Sequence, residues 1–236
     1  MSHHVHRSKP CRDRREKVTN FDTHLRLYTS QRTLTLSVMT DFATEPDFTM
    51  TNTPYGLQGK LLVATPHVGD PLFEKSVIYM CLHGEDGAMG VVVNHVHHAL
   101  TFTEVLENLS IDALVPPRGR VTRGGPVQEQ RGFVLHSPDY VHESTIKVTD
   151  EVCLTTAVEI LRDIAQGVGP QSYLIALGCS QWSPGQLEEE LEANAWISIE
   201  PDHELIFVSE NEPAWKQAID KLGIDPGQLA SIGGHA

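Results

Sequence analysis

The chain has 236 residues, a hydrophobic content of 40% and a formal net charge of −13. This composition is sufficient for a sizeable core and excludes a collagen-like or wholly disordered chain. No run of about 18 apolar residues is present, and the N-terminus lacks the apolar segment of a signal peptide. We therefore expect a cytoplasmic protein that does not bind a membrane.

The charge is unevenly distributed along the chain. Residues 1–32 carry eight Lys and Arg against three Asp and Glu, whereas the remainder carries ten against 28. Because nucleic-acid binding depends on a basic surface that displaces counterions, the acidic body is not expected to bind DNA or RNA directly. We expect the partner to be a protein or a small molecule, whose identity the sequence does not give.

The four cysteines predict neither a zinc site nor a redox motif. Cys11, Cys81, Cys153 and Cys179 include no pair at C-x-x-C spacing. Cys81 and Cys153 lie in apolar runs, which predicts buried, reduced thiols. We accordingly expect no metal and no cofactor.

The first 55 residues differ in character from the rest. They contain the charge run 12–17 and a Thr- and Ser-rich stretch from Thr29 to Thr53, with Met39 and Met50 as alternative starts to Met1. We interpret residues 1–55 as a poorly ordered basic leader. Part of it is expected to be an artefact of an upstream translation start. Residues 56–236 are predicted to form the working domain.

From Leu57 onward, strand and helix patterns are mixed. Apolar, β-branched runs predict strands at 60–64, 76–82, 88–93, 132–136, 144–148, 172–177, 195–199 and 204–208. Apolar residues at helical spacing predict helices at 101–109, 155–166, 184–192 and 212–222. The segment Gly84-Glu85-Asp86-Gly87 predicts a hairpin turn, and the predicted strand 172–177 leads to Gly178-Cys179-Ser180. Without regular alternation of strand and helix, the pattern indicates an α+β fold.

Two clusters invite a chemical interpretation but favour a simpler one. His95, His97 and His98 have no nearby carboxylate or cysteine on the same short element, which favours a histidine-rich loop over a metal site. The acidic run 188–192 lies at a predicted helix start, where carboxylates favour the helix dipole, and is interpreted as a solvated face. P-loop, dinucleotide-binding and H-E-x-x-H motifs are absent, and Gly178-Cys179-Ser180-Gln181-Trp182 lacks the final glycine of a nucleophile elbow.

Polar side chains beside tight backbone mark the candidate binding residues. No catalytic residue is assigned. The candidates for binding are His83, Asn94, Arg131, His136, Trp182, Gln186 and Glu188. Structural turns are predicted at Gly124, Gly125, Pro126 and Gly185. The segment 178–188 is expected to leave a buried strand, reverse and open a helix, with Ser183 as cap and Pro184 in the first position.

Several motifs, in order, resemble the AlgH/YqgE family of bacterial proteins. They are Leu57–Pro66 with Asp70–Phe73, His83 with Gly87–Gly90 and Asn94, Gly124–Val127 with Arg131–His136, Gly178 with Trp182, Gly185–Glu188 and Asn194–Trp196, and finally Gly234–Ala236. The resemblance begins near Leu57 and does not cover residues 1–55. Gln181, Cys179-Ser180 and the histidines after Asn94 depart from the family pattern.

The resemblance implies a single cytosolic α+β domain with a coiled, bifurcated, mostly antiparallel sheet packed by helices. It also implies a regulatory role in transcription and no established reaction. We expect a regulatory or ligand- and protein-binding domain rather than an enzyme. The alternative is a small hydrolase or transferase with a pocket near His83, Arg131 and Glu188. The oligomeric state is left open.

Overall fold

The computed structural model of the chain describes residues 56–223, in which nine strands form one curled sheet. The strands are β1 (Leu61–Ala64), β2 (Val77–Gly84), β3 (Gly87–Val92), β4 (Val121–Arg123), β5 (Val127–His136), β6 (Ile146–Lys147), β7 (Cys153–Thr155), β8 (Tyr173–Trp182) and β9 (Trp196–Ile199). Their order is β6-β7-β5-β8-β3-β2-β1-β9, and all of these neighbours are antiparallel. β4 lies off this path and pairs with β8 in parallel. The predicted α+β fold with a mostly antiparallel sheet is confirmed.

Four α-helices pack on this sheet in the described part of the chain. They are α1 (Phe102–Asn108), α2 (Glu159–Gln166), α3 (Gln186–Glu192) and α4 (Asn211–Lys221). Local sequence explains their ends: Thr101 and Glu104 form a reciprocal capping box at α1, and Gly167, at φ 79°, ends α2. A 3₁₀ turn occupies Pro71–Phe73 and a π-helical turn occupies Glu204–Val208.

The sheet is buried on both faces. One face, the inner face, packs against α4 and the π-helical turn through a cluster that includes Tyr79, Phe133, Leu135, Leu205 and Ala218. The opposite, outer face is covered in two halves. α1 and α2 cover the half with Val134 and Ile175, and α3 covers the half with Leu62, Met80 and Trp182. Helices on both faces therefore enclose most of the strand residues.

The sheet divides along β8. Val121 to Arg123 of β4 pair with residues 175–177, whereas β3 pairs with residues 180–182. Gly178 separates these two halves and has φ 74°, a left-handed conformation that favours glycine. A Cβ on Gly124 would overlap the main-chain oxygen of Gly178, and one on Gly125 would overlap the carbonyl of Cys179. These glycines allow two backbones to cross in contact, and exposed Pro126 then leads into β5.

Side-chain alternation is reset in both β2 and β8. In β2, a register irregularity between Met80 and Leu82 places Cys81 and Leu82 in the same inner cluster. In β8, Ala176 and Cys179 both belong to the inner cluster, although their spacing of three would place them on opposite faces of a regular strand. Bulges of this kind redirect every later side chain of the strand.

Most predicted elements are found, but several differ from the prediction. The strand predicted to end at Leu177 continues to Trp182 as β8, so the turn before α3 lies at 183–185, late in the segment 178–188. The segment 204–208 is not a strand: both neighbouring residues Leu205 and Ile206 are buried, and Asp202 accepts a hydrogen bond from the Leu205 amide at 3.1 Å. Thr155 lies at the end of β7 and α2 begins only at Glu159. α3 begins at Gln186, two residues after the predicted start, and β4 was not predicted.

Two predictions concern segments that the description does not cover. The proposed leader, residues 1–55, and the closing motif Gly234–Ala236 lie outside the described residues. Within 56–223, no helix is long and apolar enough to cross a membrane.

Candidate functional site

His83 faces α3 because of the bulge in β2. It pairs in register with Ala88, whose side chain belongs to the outer cluster beneath α3. The ring is 6% exposed, and its Nε2 lies 2.8 Å from Oε1 of Glu188. Its Nδ1 accepts a hydrogen bond from the Leu57 amide at 3.3 Å, which requires the proton to be on Nε2. Both ring nitrogens of His83 are therefore engaged within the protein.

Glu188 joins this pair from the first turn of α3. The pKa of its carboxyl lies below the ordinary value because its own main-chain N–H and the His83 ring both donate hydrogen bonds to it. Its side chain remains 48% exposed. Glu188 thus links the buried end of β2 to the surface of α3.

Trp182 faces α3 beyond the reset in β8. It lies opposite Ala88, so that His83, Ala88 and Trp182 form one row across three strands. Its indole N–H donates to Oε2 of Glu190 at 2.9 Å, and the indole of Trp196 donates to the same oxygen at 2.7 Å. The two indole rings meet edge to face, with centroids 6.1 Å apart.

Glu190 is a residue that sequence reasoning missed. The acidic run 188–192 was interpreted as a solvated face, yet the carboxylate of Glu190 joins two buried tryptophans to α3. Its second oxygen accepts a hydrogen bond from Nε2 of Gln186 at 2.9 Å. A signal was present in the sequence: buried indoles require acceptors, and α3 is the connection between Trp182 and Trp196.

The start of α3 differs from the predicted capped helix. Gly185 occupies the N-cap position at φ 79°, and no side chain caps the helix there. Ser183 instead donates its main-chain N–H to Oε1 of Gln186 at 3.0 Å. Gln186 is exposed, and both ends of its amide are engaged by residues of the same segment.

Asn94 lies apart from this group and has a structural environment. It is fully buried, and its Oδ1 accepts a hydrogen bond from the Val77 amide at 2.8 Å. Its Nδ2 donates to the carbonyls of Lys75 and Asn211, each at 2.9 Å. The side chain thereby fastens the start of β2 to the start of α4.

His136 lies at the far end of β5 in a closed polar chain. Its Nδ1 lies 2.8 Å from the Ser137 carbonyl, and its Nε2 lies 2.9 Å from Oγ1 of Thr155. Thr155 in turn bonds Thr145 at 2.7 Å. Burial lowers the pKa of the His136 ring, so the neutral form is favoured.

Arg131 lies on β5 and is 7% exposed. Its guanidinium lies 5.8 Å from the ring centroid of Phe133, a residue of the inner cluster. It also faces Cys179, whose pKa is raised by burial to about 12 and moderated by this positive charge. Arg131 therefore lies near the inner face, whereas His83 and Glu188 lie on the outer face.

The seven predicted binding residues thus occupy four places. His83, Trp182, Gln186 and Glu188 come together around α3, whereas Asn94, Arg131 and His136 each lie elsewhere. Within residues 56–223, no three His, Cys, Asp or Glu side chains are grouped so as to hold a metal ion.

Comparison with known proteins identifies the family and supports the fold. The AlgH-like family profile matches residues 61–227. A UPF0301 protein of Bradyrhizobium diazoefficiens is 46% identical over 189 residues, covering 76% of this chain and 88% of its own. A UPF0301 protein of Ruegeria pomeroyi is 45% identical over 183 residues, covering 76% of this chain and 99% of its own.

Two solved structures have the same fold. The solution structure of the AlgH protein from Pseudomonas aeruginosa is 39% identical, with a TM-score of 0.63, and covers 79% of this chain and 100% of its own. The crystal structure of protein DIP2367 from Corynebacterium diphtheriae is 18% identical, with a TM-score of 0.59 over 80% of this chain and 98% of its own, and supports the fold alone. The resemblance seen in the sequence is confirmed: the chain belongs to the AlgH-like family of UPF0301 proteins.

Proposed function

We propose that this protein is a non-enzymatic regulatory domain that binds a protein partner through the exposed side of α3. The observation that carries the proposal is that the two sides of this helix have different surroundings. Its inward polar side chains are engaged by the sheet, as Glu190 is by two indoles. Its outward carboxylates, by contrast, are presented to solvent.

The outward carboxylates form an acidic face, which we define as Glu85, Asp86, Glu188, Glu189 and Glu192. The tip of the β2–β3 hairpin adjoins the start of α3, because a Cβ on Gly87 would touch the main chain of residues 182–184. Apart from the contact between Glu188 and His83, the acidic face forms no ion pair with any residue between 56 and 223. Complementarity of charge therefore favours a partner with a basic surface.

The alternative of a small hydrolase or transferase receives no comparable support. That hypothesis places His83, Arg131 and Glu188 around one pocket, but Arg131 lies near the opposite face of the sheet from the other two. Both nitrogens of His83 have partners within the protein, the Leu57 amide and the Glu188 carboxylate. Binding is thus the function that the geometry supports best.

An effect on transcription would, on this proposal, be indirect. The chain after residue 32 carries ten basic against 28 acidic side chains, a balance that disfavours binding along a nucleic-acid backbone. A partner that binds the acidic face would instead carry the regulatory signal. The cytoplasm is the compartment that this proposal assumes.

The test is affinity capture from a bacterial lysate with the wild-type protein and two double variants, each of which changes two carboxylates to lysine. The double variant Glu189→Lys with Glu192→Lys reverses the acidic face without touching Glu190. The control, Glu107→Lys with Glu143→Lys, makes the same charge change at exposed positions on α1 and in the loop after β5. We expect specific proteins to be captured by the wild type and the control but lost from the α3 variant. Equal capture by all three would refute the proposal.

A further inference from the structure

Residues 95–97, directly after Asn94, pair with β4 and bring several polar side chains together, away from the acidic face. Val96 forms an antiparallel bridge with Thr122, the Arg123 amide donates to the His95 carbonyl at 2.8 Å, and the His97 amide donates to the Val121 carbonyl at 2.8 Å. In such a pairing His95, His97 and Arg123 project to one side of the ribbon, with His95 directly opposite Arg123.

Arg123 differs from most lysines of the described chain, although exposed Lys216 likewise forms no ion pair. Lys60, Lys75, Lys147 and Lys221 each form an ion pair with a carboxylate. Arg123 is exposed and, among residues 56–223, has no ion pair and no side-chain hydrogen bond. A guanidinium with its fork of donors available is suited to a planar or tetrahedral oxyanion.

One of the two imidazoles beside Arg123 has a buried polar atom without a hydrogen-bond partner. Nδ1 of His97 is buried and has no hydrogen-bond partner in the described structure. Such an atom requires an explanation, because buried polar groups in folded proteins are almost always paired. The main-chain carbonyls of Glu74 and Lys75 act on the His95 ring so as to raise its pKa, against the larger effect of burial.

The charges around the two rings suit an anion. Burial lowers the pKa of both His95 and His97, and the Arg123 charge lowers it further. At His97 the main chain of the same residue opposes this effect and His98 adds to it, whereas the carbonyls of Glu74 and Lys75 oppose it at His95. A bound anion would reverse the repulsion by Arg123 and favour the protonated rings.

We propose that Arg123, His95 and His97 form a binding site for the phosphate group of a small molecule. The guanidinium supplies paired donors, and His97 supplies its Nδ1 once the ring is protonated. A metal ion is a poorer fit, since Arg123 repels it and no three His, Cys, Asp or Glu side chains of the described chain gather around one point. The site is separate from the acidic face and does not depend on the function proposed for it.

The test is titration of the full chain with inorganic phosphate, monitored through the NMR signals of the histidine rings. Sulfate serves as a second probe, because it carries the same charge at pH 6 and pH 8 whereas phosphate titrates between them. We expect the His95 and His97 signals to shift with both anions, and sulfate to bind more tightly at pH 6. Arg123→Gln should weaken phosphate binding about tenfold or more, since charge-assisted hydrogen bonds are lost.

Matched controls keep the test decisive. Arg162→Gln removes another exposed arginine, on α2, and should leave the affinity unchanged. An unchanged melting temperature of Arg123→Gln would show that its fold is intact, and His97→Asn should reduce the pH dependence of sulfate binding to the part that comes from His95. The proposal is overturned if phosphate shifts neither ring, if Arg123→Gln and Arg162→Gln bind equally well, or if Zn²⁺ shifts both rings and phosphate does not.

Discussion

The carboxylate of Glu190 offers the sharpest test of how α3 is attached to the sheet. Replacing Glu190 by Ala removes the shared acceptor of two indole N–H groups, on Trp182 at 6% exposure and Trp196 at 3%. Each buried donor left unpaired costs about 1–3 kcal/mol, so the expected loss of unfolding free energy is about 2–6 kcal/mol. A loss of that size is a large part of the roughly 5–15 kcal/mol that stabilises a typical domain.

The assay is urea unfolding followed by circular dichroism, which does not depend on the tryptophans being altered. Glu189→Ala is the matched control, because Glu189 precedes Glu190 on the same helix, is exposed and is not the acceptor of either indole N–H. It should cost less than about 1 kcal/mol, the scale of a helix-dipole contribution. In a Trp196→Phe background, Glu190→Ala leaves one orphaned donor instead of two. Its cost should then fall by about 1–3 kcal/mol.

The reasoning would be refuted by a small or unspecific effect. If Glu190→Ala costs no more than Glu189→Ala, the indole contacts do not hold α3 in place. If its cost is the same with Trp196 or Phe at position 196, the two groups are not coupled.

Two further predictions concern the backbone and the buried imidazole. Substitution of Gly178 by Ala should lower the free energy of unfolding by more than about 2 kcal/mol, because a positive φ is combined with overlap of Gly125. The loss should be about 1–2 kcal/mol at Gly185, where φ is 79° but the space is open, and under about 1 kcal/mol at Gly84, which has neither constraint. Equal losses at the three positions in urea unfolding would contradict this order. The lowered pKa of His136 means that the unfolded chain binds a proton more readily, so stability present at pH 7.5 should fall as the pH drops below about 6.5. His136→Gln should flatten that decline, and parallel curves for both proteins would contradict the assignment.

Local sequence signals predicted much of the fold because they act over a few residues. The hydroxyl and carboxylate around Thr101 define the start of α1, and Gly84 to Gly87 define the hairpin between β2 and β3. The family motifs identified the relationship that the comparisons confirm. Such features do not require knowledge of distant contacts.

The resets of alternation in β2 and β8 could not be read from sequence. Every residue of β2 from Val77 to His83 is buried, so its apolar run shows no contrast between two faces. A bulge leaves no mark in such a pattern, yet it decides that His83 faces α3. The same holds for Trp182 beyond Gly178.

The roles of Glu190 and of the segment Glu204–Val208 depended on tertiary contacts. An acidic run at a helix start has the same appearance whether it is solvated or, as at Glu190, bonded to indoles from two strands. The segment 204–208 has the apolar content of a strand, but the Arg120 guanidinium donates to the carbonyls of Ile206 and Phe207 at 3.0 and 3.1 Å. Those carbonyls are therefore not available to a strand ladder.

The central claim is that α3 folds the protein through one side and binds a partner through the other. The most direct measurement is photocrosslinking in bacterial cells with a benzophenone amino acid placed at Glu189, compared with the same group at Glu107 on α1. The account predicts a discrete protein adduct from position 189 that is absent from position 107. No adduct from position 189, or the same adduct from both positions, would contradict it.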